Sequence, residues 1–326
     1  MFLAINMGGS GTAPAFSSAY GANLIRKDLI PGLFGAFVLL GAIMAGKEVT
    51  LTIGKGILPD SSMTLTLTTI ILLSIALSML FANILRVPQS TSQSTVFALV
   101  AVAVYQNNLQ TKKLLFEIIP AWFILPIISF FLTLILGKYI YRPLKKKKLI
   151  NFKQLKVHPA LRLGVIFSSC YVAFSIGANN VANASGPIHS LLVNQLNIQD
   201  SETNYLICMI VSTLIIAPCF ALGSSIFGSR ILKTTGKEII EFGPIGALAI
   251  SLVTGSLLLL ASVTRGIPTA LAQLNVGAII GLGAYKVGIK EIMTRTSVKK
   301  IFMVWVISPA ISFCIALLLA FLMVKK

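Results

Sequence analysis

The chain has 326 residues, of which 56% are hydrophobic and only 11% charged, and its mean hydropathy is +0.90. A soluble domain is nearer a quarter charged, because it needs a polar skin, so this composition excludes a soluble globule and predicts a polytopic membrane protein. The formal net charge of +18 would suit a nucleic-acid binder, but the Lys and Arg residues cluster between the apolar segments, as membrane topology requires, and no nucleic-acid partner is expected.

A bilayer core of about 30 Å takes roughly 20 apolar residues per helix. In chain order, an interrupted apolar segment at 2–24 is followed by continuous spans at 29–46 and 64–85, an interrupted segment at 88–106 and a span at 115–137. The same order recurs as an interrupted segment at 161–195, spans at 205–224 and 243–264, an interrupted segment at 267–286 and a span at 302–324. Local echoes support the alignment: Thr52–Ile57 resembles Thr234–Ile239, and Val87–Gln93 resembles Ile267–Gln273. The expected fold class is all-α and polytopic, with interrupted or re-entrant helices meeting near the midplane. Residues 1–137 form a first repeat, 138–160 a basic linker and 161–326 a second repeat. An odd number of crossings per repeat, about five, makes the second copy enter from the opposite side, an inverted repeat common in secondary transporters.

The densest basic run, Lys138 to Arg162, lies between the halves. Placed in the cytoplasm, it puts most Lys and Arg on the inner side, consistent with the positive-inside rule. A multi-pass protein of the plasma membrane follows, with both termini outside. The lysines at 145–148 could also attract anionic lipid, although topology alone accounts for them. Cys170, Cys208, Cys219 and Cys314 lie in apolar stretches without CxxC spacing, and His158 and His189 are far apart, so neither a metal site nor a disulfide framework is expected. The opening Met1–Gly9 has no basic n-region or cleavage site, so no cleaved signal peptide is expected.

Four polar clusters mark the interrupted segments: residues 7–23, 87–95, 177–187 and 266–277. Irregular or polar backbone at membrane depth is tolerated only where protein or a watery cavity satisfies it. Pro88 and Pro268 suit a first helical turn, where the missing N–H costs nothing, and a helix start aimed at a cavity binds anions through its dipole and free N–H groups. Small residues in these clusters also allow close helix packing, but their recurrence in repeat-related positions points to a ligand. No HExxH, GxSxG or paired-carboxylate signature is present, so no enzyme, catalytic residue or cofactor is expected. Broken helices in inverted repeats fit alternating access, and a small-anion channel is the alternative mechanism.

At these residues the chain resembles a known family. Gly177–Pro187 is similar to the Gly-Ala-Asn-Asp-Val-Ala-Asn signature of the inorganic phosphate transporter (PiT) family, and residues 86–93 and 266–273 echo its Gly-x-Pro element. The resemblance covers nearly the whole chain, including the glycine-lysine elements at Lys55 and Lys237. Gly11 and Asn180 stand where the family has aspartate, and Gln93 and Gln273 where it has histidine. The pattern looks closest to the bacterial sulfate permease branch, through Gly8–Gly11, Asn179–Ala184 and Pro268–Gln273. The motif begins at Met7, so a short first half-helix is expected.

The resemblance implies an ion-coupled oxyanion symporter, with dimers as the family's assembly. Sulfate is the expected substrate and phosphate the alternative. Phosphate near neutral pH carries a proton that needs an acceptor, whereas sulfate only accepts hydrogen bonds, and a buried carboxylate facing it would be repelled and unpaired. Asn179, Asn180 and Asn183, with Ser10 and Thr12 from the other repeat, are expected to contact the anion or its coupling ion. Ser90, Thr91, Gln93, Gln273 and Asn275 are expected to line the remaining wall. Loss of the aspartates also weakens a sodium site, so a proton is the expected coupling ion and sodium the alternative. An intramembrane proton carrier is usually ionisable. Glu48 and Glu241 are the proton-relay candidates, although interfacial ion pairing explains them as well.

Overall fold

The computed structural model describes residues 1–21, 24–85, 90–141, 159–196, 201–228, 232, 243–290 and 296–324. Its elements are helices because hydrocarbon offers no partner for backbone N–H and C=O groups, and a helix bonds them within one segment. The first half contains α1 (Phe2–Gly21), α2 (Ile30–Ala45), α3 (Lys47–Lys55), α4 (Leu65–Leu85), α5 (Thr91–Tyr105) and α6 (111–141), the last with π turns at Leu114–Ile118 and Gly137–Tyr141. The second contains α7 (Pro159–Asn180), α8 (Ala182–Gln195), α9 (Glu202–Gly228), α10 (Gly243–Arg265), α11 (Leu271–Val287) and α12 (Thr296–Met323). Among the described residues, six helices are long and apolar enough to cross a membrane. Phe116, Phe123, Phe167 and Phe321 stay exposed on helix faces, a surface suited to lipid and costly in water. The protein is an all-α, multi-pass membrane protein.

Packing joins the halves to each other. Helix α1 lies against α9 and α2 against α7, while α5 lies against α12 and α6 against α11. Both of the first two crossings are close backbone approaches. A Cβ at Gly8 would strike the backbone of Phe220, and one at Gly223 the backbone of Ile5. A Cβ at Gly177 would strike Val38, and one at Gly41 would strike Phe174. The other two crossings share a hydrogen bond: Ser129 on α6 donates to the Leu274 carbonyl (2.9 Å), and Ser312 on α12 donates to the Ser94 carbonyl (2.9 Å). Phe34 joins the crossings at the centre, with ring centroids 6.4 Å from Phe16 and 6.5 Å from Phe220.

The interrupted segments differ in kind. In the first segment, expected to be broken and short, Phe2–Gly21 is a continuous 20-residue helix with Pro14 inside it. A proline there removes one backbone bond and bends a helix without having to end it. Segment 161–195 is broken only at Val181, whose dihedrals (φ −59°, ψ −36°) remain helical. The segment before α11 is truly non-helical, from Gly266, whose φ is +60°, to Ala270. Pro268 therefore lies outside the helix rather than in its first turn. A proline disfavours helix in the residue before it, and the Pro268 carbonyl instead accepts from the Trp122 indole on α6 (2.9 Å). Pro88 lies outside the described residues, as do Lys237 and Glu241.

Candidate functional site

Helices α5 and α11 start alike. Their N-cap residues have nearly the same backbone, Ser90 at φ −94°, ψ 107° and Ala270 at φ −85°, ψ 94°. The Ser90 hydroxyl accepts from the Gln93 N–H (3.2 Å), a standard serine cap. Ala270 has no such side chain, and its carbonyl accepts from the Gln273 N–H (2.9 Å). Gln93 and Gln273 thus occupy the same third helical position, both buried, and the Oε1 atom of each has no hydrogen-bond partner.

Asn179 ties this non-helical segment to the helices. Its Nδ2 donates to the Ser262 hydroxyl on α10 (2.7 Å) and to the Ile267 carbonyl (2.9 Å). Its Oδ1 accepts from the Thr269 N–H (3.0 Å). The Ser92 hydroxyl lies 3.1 Å from the Thr269 carbonyl and 3.3 Å from Asn179 Oδ1, and accepts from Asn183 Nδ2 (3.2 Å). This network joins α5, α7, α8, α10 and the strap before α11. Both donors of the Asn179 amide and its acceptor are engaged within the protein.

Its neighbours differ. Asn180 Oδ1 and Asn183 Oδ1 are buried without partners, like the two glutamine oxygens. Each such atom costs about 1–3 kcal/mol if left unmet, so four of them on segments joined by one network make these residues the candidate ligand site. An amide presents either its oxygen to a cation or, turned over, its NH₂ to an anion. Among the described residues no Asp or Glu is buried, and no group of three or more His, Cys, Asp or Glu residues comes together.

The other expected site residues divide. Thr91 is buried at the start of α5, and its carbonyl accepts from Thr95 Oγ1 (3.0 Å), while Asn275 is half-buried on α11. Ser10 and Thr12 turn back onto their own helix, donating to the Met7 (3.1 Å) and Gly8 (2.7 Å) carbonyls. A Cβ at Gly11 would point at Phe34 (3.1 Å) and Ile176 (3.7 Å), so the aspartate position of the first repeat faces apolar groups. Glu48 is exposed at the start of α3. Beside it Lys47 bonds Glu202 on α9 (2.7 Å), and that hydrogen bond raises the Lys47 ammonium above the usual lysine range. Sequence reasoning missed Ser92, Thr269 and Ser262. Ser262, a hydroxyl inside an apolar span, carried a usable signal, whereas Thr269 acts through its backbone.

Residues 7–316 match the phosphate transporter family. The chain belongs to that family. The sulfate permease CysP of Bacillus subtilis is 35% identical over the whole chain and 86% of its own length. The putative phosphate permease MJ0630 of Methanocaldococcus jannaschii is 24% identical over 98% of this chain and 93% of its own. A solved sodium-dependent phosphate transporter has the same fold, with a TM-score of 0.80 at 21% identity over 98% of this chain and 96% of that one. Membership of the phosphate transporter family points to a transporter of inorganic anions rather than an enzyme.

Proposed function

We propose that the protein carries sulfate into the cell by alternating access, coupled to sodium. The observation that carries this reading is the set of buried amides at Gln93, Asn180, Asn183 and Gln273, whose oxygens have no partner, in a setting where no described Asp or Glu is buried. Amide NH₂ groups can surround a fully deprotonated tetrahedral anion. A protonated phosphate would leave its O–H beside weaker, neutral acceptors. The similar sulfate permease supports the same choice, and the phosphate-named relatives support phosphate as the second reading.

Neutral side-chain oxygens can also hold a monovalent cation, and the similar solved structure is of a sodium-dependent transporter. The proton expected from sequence has less support: Glu48 is exposed on α3, and Glu241 falls outside the described residues. The exchanged pairings α1–α9 with α2–α7, and α5–α12 with α6–α11, support two inverted repeats at 1–137 and 161–326 around a cytoplasmic basic linker. In this reading Asn180, Asn183, Gln93 and Gln273 touch the ions, while Asn179 positions the strap. Proteoliposomes supplied with labelled sulfate or phosphate, under a sodium or a proton gradient, test it. Sodium-driven sulfate accumulation is expected. Phosphate accumulation alone, proton-driven uptake without sodium, or downhill flux that no gradient reverses would overturn the corresponding part.

A further inference from the structure

A second buried polar cluster lies away from the amides, where α3 of the first half meets α8 and α9 of the second. His189 on α8 is only 4% exposed, and its Nε2 has no hydrogen-bond partner. Its ring is tilted against Tyr205 on α9, with centroids 4.2 Å apart, and the Tyr205 hydroxyl is also buried and unpartnered. Lys55 Nζ lies 6.0 Å from the Tyr205 ring centre. Lys55, Asp60, His189, Ser190 and Tyr205 line a cavity of about 20 Å³, room for one water. Lys55 is exposed and Asp60 half-buried, so the cavity borders solvent. The joint beside it is tight: a Cβ at Gly186 would lie 2.8 Å from Ile53, and one at Gly54 3.3 Å from the Gly186 carbonyl.

We infer that His189 is a proton-binding site whose charging loosens the contact of α3 with α8 and α9. The groups facing the imidazole are Lys55 from α3, Asp60 from the following turn and Tyr205 from α9. Lys47, Glu48 and Glu202 belong to the same helices but do not line the cavity, and neither do Arg162, Cys170 and Tyr171 of α7 or Tyr105 of α5; α4 carries no titratable side chain. A proton delivered through the water-sized space would add a second positive charge beside Lys55. Of the facing groups only Asp60 is anionic, and it is partly solvated. A buried imidazolium needs acceptors for both N–H groups, which the closed joint does not supply, whereas admitting water does. Because α3 and α8 belong to different halves, loosening this joint shifts the balance between arrangements of the halves. Acidity would then bias transport without the proton being the driving ion.

The test reads the joint directly and needs neither sulfate nor a gradient, so it stands apart from the transport reading. In full-length protein lacking its native cysteines, Val193→Cys reports access to the cavity, and Lys112→Cys, at an exposed position, corrects for thiolate chemistry. Labelling rates are compared between about pH 8 and pH 5, where histidine titrates. The Val193→Cys rate relative to the reference should rise several-fold on acidification. It should stay flat when His189→Gln, or His189→Phe, which keeps a ring against Tyr205, is added. A flat ratio with His189 intact, or the same rise in both added variants, would overturn the inference.

Discussion

Asn179 and Asn180 are adjacent, identical in type and both buried, yet truncating them should produce opposite phenotypes. Asn179→Ala removes donors to Ser262 (2.7 Å) and Ile267 (2.9 Å) and the acceptor for the Thr269 N–H (3.0 Å). At about 0.5–1.5 kcal/mol for each neutral hydrogen bond, the loss of three is about 1.5–4.5 kcal/mol, and the buried Thr269 N–H left behind adds to it. Asn180→Ala deletes an oxygen that already lacks a partner, so apo-protein stability should change by less than about 1 kcal/mol. If that amide touches the anion, one lost hydrogen bond to a charged group is worth about 1.5–3 kcal/mol, a tenfold or greater rise in the sulfate Kd. Thermal unfolding of detergent-purified protein without sulfate reads the first effect, and calorimetric titration with sulfate reads the second. Wild-type unfolding of Asn179→Ala would show that the strap does not depend on this amide. Equal destabilisation by Asn180→Ala would show that its oxygen is bonded after all, and the site would have to lie elsewhere.

Asn180→Asp should weaken sulfate uptake and admit phosphate: a unit charge about 4 Å away at an effective dielectric near 20 costs roughly 4 kcal/mol before nearby donors reduce it, and unchanged sulfate affinity in proteoliposomes would move Asn180 away from the anion. Gly177→Ala should force α2 and α7 apart and abolish uptake, whereas Gly32→Ala, whose Cβ meets nothing within 4 Å, should leave uptake unchanged; detergent stability and uptake measured on both variants separate them. Ser90→Ala should cost about 1 kcal/mol through the lost cap of α5, seen as a lower unfolding temperature, while Ala270→Ser at the matching position should cost less than Ser90→Ala. A cysteine introduced at Lys146 should resist an impermeant thiol reagent added to intact cells, and rapid labelling there would reverse the topology.

The spans were legible because lipid leaves a chain few choices: a long apolar run must become a helix. The breaks were harder. Clusters rich in glycine, serine and proline look alike in sequence, yet residues 2–21 stay helical while 266–270 do not. What separates them is tertiary, since the non-helical strap is held by the Trp122 indole and the Asn179 amide from other helices. The echo of Val87–Gln93 in Ile267–Gln273 led to Gln93 and Gln273 because a shared backbone turn needs matching spacing. The two asparagines could not be told apart, because consecutive helical residues point roughly 100° apart and sequence does not say which direction holds the cavity. Ser10 and Thr12 sit in the echoing motif, but a hydroxyl in a helix readily bonds a carbonyl one turn back, as both do here. His189 was set aside as a metal ligand because a lone histidine has no spacing to read; its surroundings, Tyr205, Lys55 and Asp60, are brought to it by other segments.

The glycine crossings bear on how the protein is made. Helices α1 and α2 find their closest partners, α9 and α7, only in the second half of the chain. As synthesis proceeds, the first half must therefore wait in the bilayer with the flat faces at Gly8 and Gly41 covered by lipid chains rather than by protein. Those faces gain little from burial in hydrocarbon and much from a backbone meeting another backbone. Assembly is thus delayed until α7 and α9 arrive, and the newborn halves close around each other late, as two open hands rather than two finished bundles.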